Sequence, residues 1–170
     1  KSKQLLKNSR QPLPIKPGTP VRLDYEYVRG GTCNLFVAIE PKGGRRTVQI
    51  TDHRAKTDFV AFVQHLLEQV YATARRIHLV LDNLNTHCEK SLIDHFGPRA
   101  GPAVWRRLTV HYTPKHGSWL NQAEIELSLV SRQCLGRRRI AALRALQTET
   151  RAWTARANRR KTRINWRFTR

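Results

Sequence analysis

The spacing of apolar residues changes repeatedly along the chain, and each change marks an element. The first twenty residues, KSKQLLKNSRQPLPIKPGTP, are rich in Lys and Pro and predict an extended lead-in with little regular structure. Positions 21–28 alternate loosely, and Gly30-Gly31 predicts a turn. TCNLFVAIE (32–40) is apolar, β-branched and aromatic enough for a buried strand. A second turn at 41–44 leads to a further strand, RRTVQIT (45–51).

From Thr57 the period becomes helical. Phe59, Phe62, Val63, Leu66, Leu67 and Val70 recur at steps of one, three and four, and Thr57 is placed to cap the start. RIHLVLDN (76–83) is a nearly continuous apolar run that ends abruptly in Asp-Asn. Strands buried on both faces, in the middle of a parallel or mixed sheet, have this character. A polar helix over 86–96 is stopped by Gly97-Pro98, and LTVHY (108–112) is a strand closed by Thr113-Pro114. Ser118 is placed to cap a helix on which Leu120, Ala123, Leu127, Val130 and Cys134 step by three and four. A basic helical stretch then runs through Asn165. Strands followed by alternating helices and strands belong to the α/β class. Ligands in open α/β sheets gather beyond the carboxyl ends of strands, which is where Asp82 falls.

A carboxylate ending an apolar strand is costly unless it meets water, a partner or a cation, although an Asp there can also cap the next helix. Glu124 and Glu126 lie on opposite edges of the apolar stripe of their helix, so periodicity does not choose between them. Converging carboxylates suit a hard cation such as Mg²⁺, and paired ions can stabilise the attacking and leaving oxygens of a phosphodiester displacement. His87 and His116 follow the two strands that bracket this position and are candidates for supporting or nucleic-acid contacts. His87, Cys88, His95, His111 and His116 lack the ligand spacing of a recognised zinc motif. Neither a P-loop nor a GxGxxG fingerprint is present, so nucleotide-driven chemistry has no support.

Charge brings in a substrate class. The 170 residues hold 32 Lys+Arg against 12 Asp+Glu, a net +20, which implies a polyanionic partner, DNA or RNA. Residues 132–170 carry thirteen of the basic residues and one acid, Glu149, as a segment tracking a phosphate backbone would. Three widely spaced cysteines fit a reduced, intracellular compartment. No apolar run is long enough to span a bilayer. The chain opens at Lys1 and contains no Met, so it reads as a piece of a longer protein.

LVLDNLNTH (79–87) and HYTPKHGSWLNQAEIELS (111–128) resemble the second and third catalytic motifs of mariner-like bacterial insertion-sequence transposases of the DDE superfamily. DYEYVRGGT (24–32), SRQCLGRR (131–138) and INWRFT (164–169) are similar to flanking segments of the same group. The resemblance implies a ribonuclease-H-like mixed sheet flanked by helices, here a catalytic domain over 1–135 with a basic helical tail over 136–170. It assigns Asp82 as the second catalytic, metal-binding carboxylate and Glu124, rather than Glu126, as the third. Asn83, His87, Lys115, His116, Ser118, Trp119 and Asn121 are the supporting or DNA-contact candidates. It implies two Mg²⁺ or Mn²⁺ ions, and DNA, both transposon ends and target, as partner. Work on the nucleoid in the cytoplasm follows, with a homodimer as one arrangement open to the full-length transposase. The first catalytic Asp of that family falls just ahead of the segment matching KSKQLL, and Asp24 matches a different motif. The expectation is therefore that these 170 residues alone bind DNA but cleave it little or not at all. Two other readings stay open. One is a basic DNA-binding remnant without chemistry. The other is a ribonuclease-H-like nuclease drawing its first carboxylate from Asp24, Glu40, Asp52 or Asp58.

Overall fold

The computed structural model describes residues 1–13, 16–18, 24–117 and 121–165. It divides into two compact units, Lys1–Asp52 with Leu127–Arg170, and His53–Glu126.

The first unit is built on an antiparallel sheet of three strands in the order β1-β2-β3, comprising β1 (Ser2–Asn8), β2 (Tyr27–Glu40) and β3 (Arg45–Thr51). β3 lies where its sequence predicts. β1 corrects the expectation of an irregular lead-in. SKQLLKN has a single buried residue, Leu5, so no alternation announces it, and its strand form comes from pairing with β2. Gly30-Gly31 is likewise no turn, because β2 runs straight through it. Between the pairs Gln4↔Thr32 and Leu6↔Arg29, β2 carries one residue more than β1, and Gly31 takes φ +108° at this bulge. The expected segment at 21–28 lies partly outside the described residues.

Two helical pieces complete this core. The end of α3 (Gln122–Leu129) widens into a π turn, Val130–Leu135, and α4 (Leu143–Arg160) packs on β3. Leu5, Cys33, Leu35, Ile50, Val130, Cys134, Leu135, Leu146 and Trp153 form one buried cluster. Polar pairing fixes the packing of α4. The Arg46 N–H donates to Asn158 Oδ1 (2.7 Å), Asn158 Nδ2 donates back to Arg46 O (2.9 Å), and Gln147 Nε2 donates to Ile50 O (3.1 Å). The Arg139 guanidinium donates to the carbonyls of Asp24 and Glu26, both at 2.6 Å, and lies over the Tyr27 ring.

The second unit joins α1 (Lys56–His65), β4 (Ile77–Leu81), α2 (Glu89–Trp105) and β5 (Leu108–Tyr112). α1 runs into a π turn, Leu66–Val70, and the apolar positions that announce it (Phe59, Phe62, Val63, Leu66 and Leu67) are buried. Its cap differs from expectation. Thr57 lies inside the first turn, and the Asp58 carboxylate accepts the Ala55 N–H at 2.8 Å instead. α2 starts at Glu89 rather than at 86 and continues past Gly97-Pro98. Gly97 (φ +85°, ψ 171°) breaks the helix, and Pro98 then opens a second half, where its missing N–H costs no helical bond.

β4 and β5 pair in parallel, with Leu81 opposite Tyr112. Burial of β4 on both faces is not what the structure shows. Its sheet has two strands among the described residues, His78 is exposed, and Val80 is 53% exposed. The architecture is thus mixed α/β, with an antiparallel sheet, a parallel one and four helices among the described residues.

Candidate active site

Parallel pairing brings the carboxyl ends of β4 and β5 side by side, and backbone and side-chain hydrogen bonds join the two exits. The Thr113 N–H donates to Leu81 O (2.9 Å), extending the ladder by one bond. Asn83 Nδ2 donates to Thr113 O (2.7 Å), tying the two exits together. A pocket of about 260 Å³ opens there, lined by Asp82, Asn83, Leu84, Thr113, Pro114, Lys115 and His116. The turn that presents Lys115 and His116 is closed by Gly117 N–H on Pro114 O (2.8 Å), and His116 takes the left-handed conformation, φ +64°.

Asp82 is aimed by its own loop. His87 Nδ1 donates to Asp82 Oδ1 at 2.6 Å, across a loop turned by the His87 N–H on Leu84 O (2.8 Å). The imidazole is in turn fixed on two sides. It stacks on Phe59 with 4.6 Å between ring centroids, and the Tyr112 hydroxyl donates to His87 O at 2.8 Å. The His87 side chain is 15% exposed, whereas that of Asp82 is 43% exposed and open to solvent. The hydrogen bond from His87 holds the Asp82 carboxyl below its ordinary value, against partial burial, which acts the other way. Asp82 is therefore a charged, oriented carboxylate at neutral pH.

Glu124 sits in the first turn of α3, exposed, where the helix dipole favours a negative charge. The helix begins one residue after Asn121, whose Oδ1 accepts the Ala123 N–H (3.0 Å) and whose carbonyl accepts the Glu124 N–H (3.0 Å). Asn121 is thus the cap in the place predicted for Ser118; Ser118 and Trp119 themselves lie outside the described residues. Glu126, the alternative, is 1% exposed and turned into the protein.

Of the residues singled out from sequence, Asp82, Asn83, Lys115 and His116 share one pocket and His87 touches it through Asp82. Glu124 is not among the described residues lining that pocket. Phe59 and Tyr112, which hold His87, were missed. Tyr112 ends the predicted strand beside the site, but nothing in the sequence near Phe59 links it to a histidine 28 positions on. Asp82 and Glu124 supply oxygen donors of the kind a hard divalent cation takes. Among the described residues no three His, Cys, Asp or Glu side chains stand together as a metal cage. Two acids offered as a first carboxylate are engaged elsewhere. Asp58 caps α1, and Asp24 accepts from the Glu26 N–H (3.1 Å) within its own loop.

A family model described as DDE superfamily endonuclease matches residues 1–147. The chain belongs to that family. Comparison with curated proteins and with solved structures gives no match. In this DDE endonuclease the matched span contains both the pocket around Asp82 and the first turn of α3. No helix among the described residues is long and apolar enough to cross a membrane.

Proposed function

We propose that the chain is a transposase catalytic domain of ribonuclease-H-like fold that cuts and joins DNA, with Asp82 and Glu124 as two of its three metal-binding carboxylates. The observation that carries this reading is the placement of Asp82. It is a charged, oriented carboxylate beyond the carboxyl end of β4, in a pocket it shares with Lys115 and His116, in a chain of the DDE endonuclease family.

Within that reading each residue has a task. His87 keeps Asp82 turned toward the pocket and charged. Lys115 meets the negative phosphodiester, with His116 beside it as a second polar contact. Asn83 holds the two strand ends at fixed separation, and Asn121 fixes the start of α3 and with it Glu124. Two Mg²⁺ or Mn²⁺ bound by the carboxylates would supply the Lewis acidity such displacements need at the attacking and leaving oxygens. Residues 136–170 serve as a basic extension of the catalytic domain, 1–135. Its helix α4 exposes Arg144, Arg151, Arg159 and Arg160 toward solvent, a surface suited to phosphates. The same proposal takes the protein to be of the mariner-like bacterial insertion-sequence type, at work on nucleoid DNA in the cytoplasm and open to homodimer assembly. The DYEYVRGGT and SWLNQAE segments support it.

Mn²⁺ binding followed by electron paramagnetic resonance tests the assignment on the 170-residue polypeptide. Asp82→Asn and Glu124→Gln should each weaken binding at least about tenfold; unchanged binding in both variants removes these residues from the site. The same polypeptide should bind DNA in a salt-dependent manner while nicking supercoiled plasmid poorly. Strong nicking abolished by Glu124→Gln would overturn the two-of-three count.

A further inference from the structure

A second constellation stands on the same two strands, before their carboxyl ends are reached. His78 lies on β4 and His111 on β5, 33 residues apart in sequence, and both are exposed. The parallel register sets His78 opposite Thr109 and Val80 opposite His111. Residues directly opposite in a sheet, and those two apart on one strand, share a face, so His78, Val80, Thr109 and His111 line one side of the pair. The two imidazoles are nearly parallel, 16° between planes and 5.3 Å between centroids, with His78 Nδ1 and His111 Nε2 only 3.0 Å apart.

Two ring nitrogens aimed at each other at that distance have two uses: they share one proton in an N–H···N bond, or both turn aside to one cation. In a tetrahedral zinc site with bonds near 2.05 Å, two nitrogens stand about 3.3 Å apart, and a cis pair on an octahedral or square-planar ion stands slightly closer, at about 2.9 Å. The observed separation falls between these values, but the nitrogens point at each other, so each ring must swing by roughly 40° off the line joining them to aim at one ion. Neutral imidazole is a good ligand for Zn²⁺, Cu²⁺ and Ni²⁺ and a poor one for Mg²⁺. Each ring would carry its proton on the outer nitrogen when the inner one binds, so no proton need leave the protein.

We propose that His78 and His111 form a two-histidine clip for a borderline transition-metal ion, Zn²⁺ or Cu²⁺, chemically separate from the carboxylates. It does not rest on the transposase reading. No third His, Cys, Asp or Glu joins the pair among the described residues, so water or a ligand from another molecule would complete the coordination shell. A pairing across 33 residues has no motif spacing, which is why inspection of histidine spacings does not find it.

Zn²⁺ titration by calorimetry, on the 170-residue chain, tests the proposal. One binding event should depend on the two histidines, apart from any ion held at the carboxylates. His78→Ala and His111→Gln should each weaken it at least tenfold, while Asp82→Asn and His95→Ala should leave it within threefold. Absence of binding, a loss below tenfold in either pair variant, or a comparable loss in Asp82→Asn overturns the assignment. Should a variant fail to fold, Cu²⁺ resonance spectra of the unaltered chain decide. Hyperfine splitting from two imidazole nitrogens supports the clip, and splitting from one or none refutes it.

Discussion

The two compact units handle polar groups in opposite ways. In the unit built on the antiparallel sheet, half-buried polar side chains serve the backbone: Asn158 and Gln147 satisfy β3, and Arg139 collects the carbonyls before β2. In the unit holding β4 and β5, the groups that carry chemistry face outward. Asp82, Lys115 and His116 line an open pocket, and His78 and His111 meet on an exposed face. These pairs in the first unit secure packing, whereas the pocket and histidine groups of the second stay available. The lesson is that stability and chemistry are drawn from different residues, so substitutions in the two should have separable effects.

The largest effect should come from Trp153→Ala. The side chain is 4% exposed in the buried cluster, and its loss should cost about 3–5 kcal/mol in urea denaturation. A cost below about 1 kcal/mol would mean that the cluster is not the core of its unit. Asn158→Ala should rank next. It deletes two hydrogen bonds and leaves the Arg46 N–H without its partner on a residue that is 4% exposed, for a loss of about 1–3 kcal/mol. Val80→Thr sharpens the contrast from the other side. Although Val80 sits mid-strand in an apolar run, it is 53% exposed, and its replacement should shift stability by less than about 0.5 kcal/mol. A loss as large as that of a core truncation would show that this face is covered.

The smallest effect concerns pH. Asp94 on α2 accepts from Lys56 of α1 (2.9 Å) and from Lys90 (3.1 Å), and these bonds hold its carboxyl below the ordinary value. A lowered folded-state value contributes stability above the ordinary carboxylate range and loses it as pH falls through the folded value. Thermal melts of Asp94→Asn should therefore sit slightly below those of the parent at neutral pH. They should converge with them in acid, and also at high salt because both partners are solvated.

Much of this was readable from residue order. RRTVQIT and LTVHY form strands with the predicted limits, and α1 with its π turn buries every position its period picks out except Val70, which is half-buried. The odd placement of Asp82 was legible because a charge at the end of IHLVL is anomalous on solvation grounds, while its metal-binding role came only from likeness to a family. β1 escaped because one buried leucine is no pattern, and the second half of α2 because Gly-Pro signals a stop whether or not a helix resumes. The support of His87 by Phe59 and Tyr112, like the meeting of His78 with His111, is long-range and leaves no local trace. Glu124 was separated from Glu126 only by likeness to a family, since both occupy edges of the apolar stripe; their burial then differs sharply, one exposed and the other 1% exposed.

The amides of α4 have one more consequence. Among the described residues β3 ends its sheet, and a bare outer strand offers free N–H and C=O groups to any extended peptide in solution. Asn158 occupies both groups of Arg46, and Gln147 the carbonyl of Ile50, four residues along the same edge. The helix thereby imitates a neighbouring strand without being one. That imitation guards this stretch of edge against pairing with a strand of another chain.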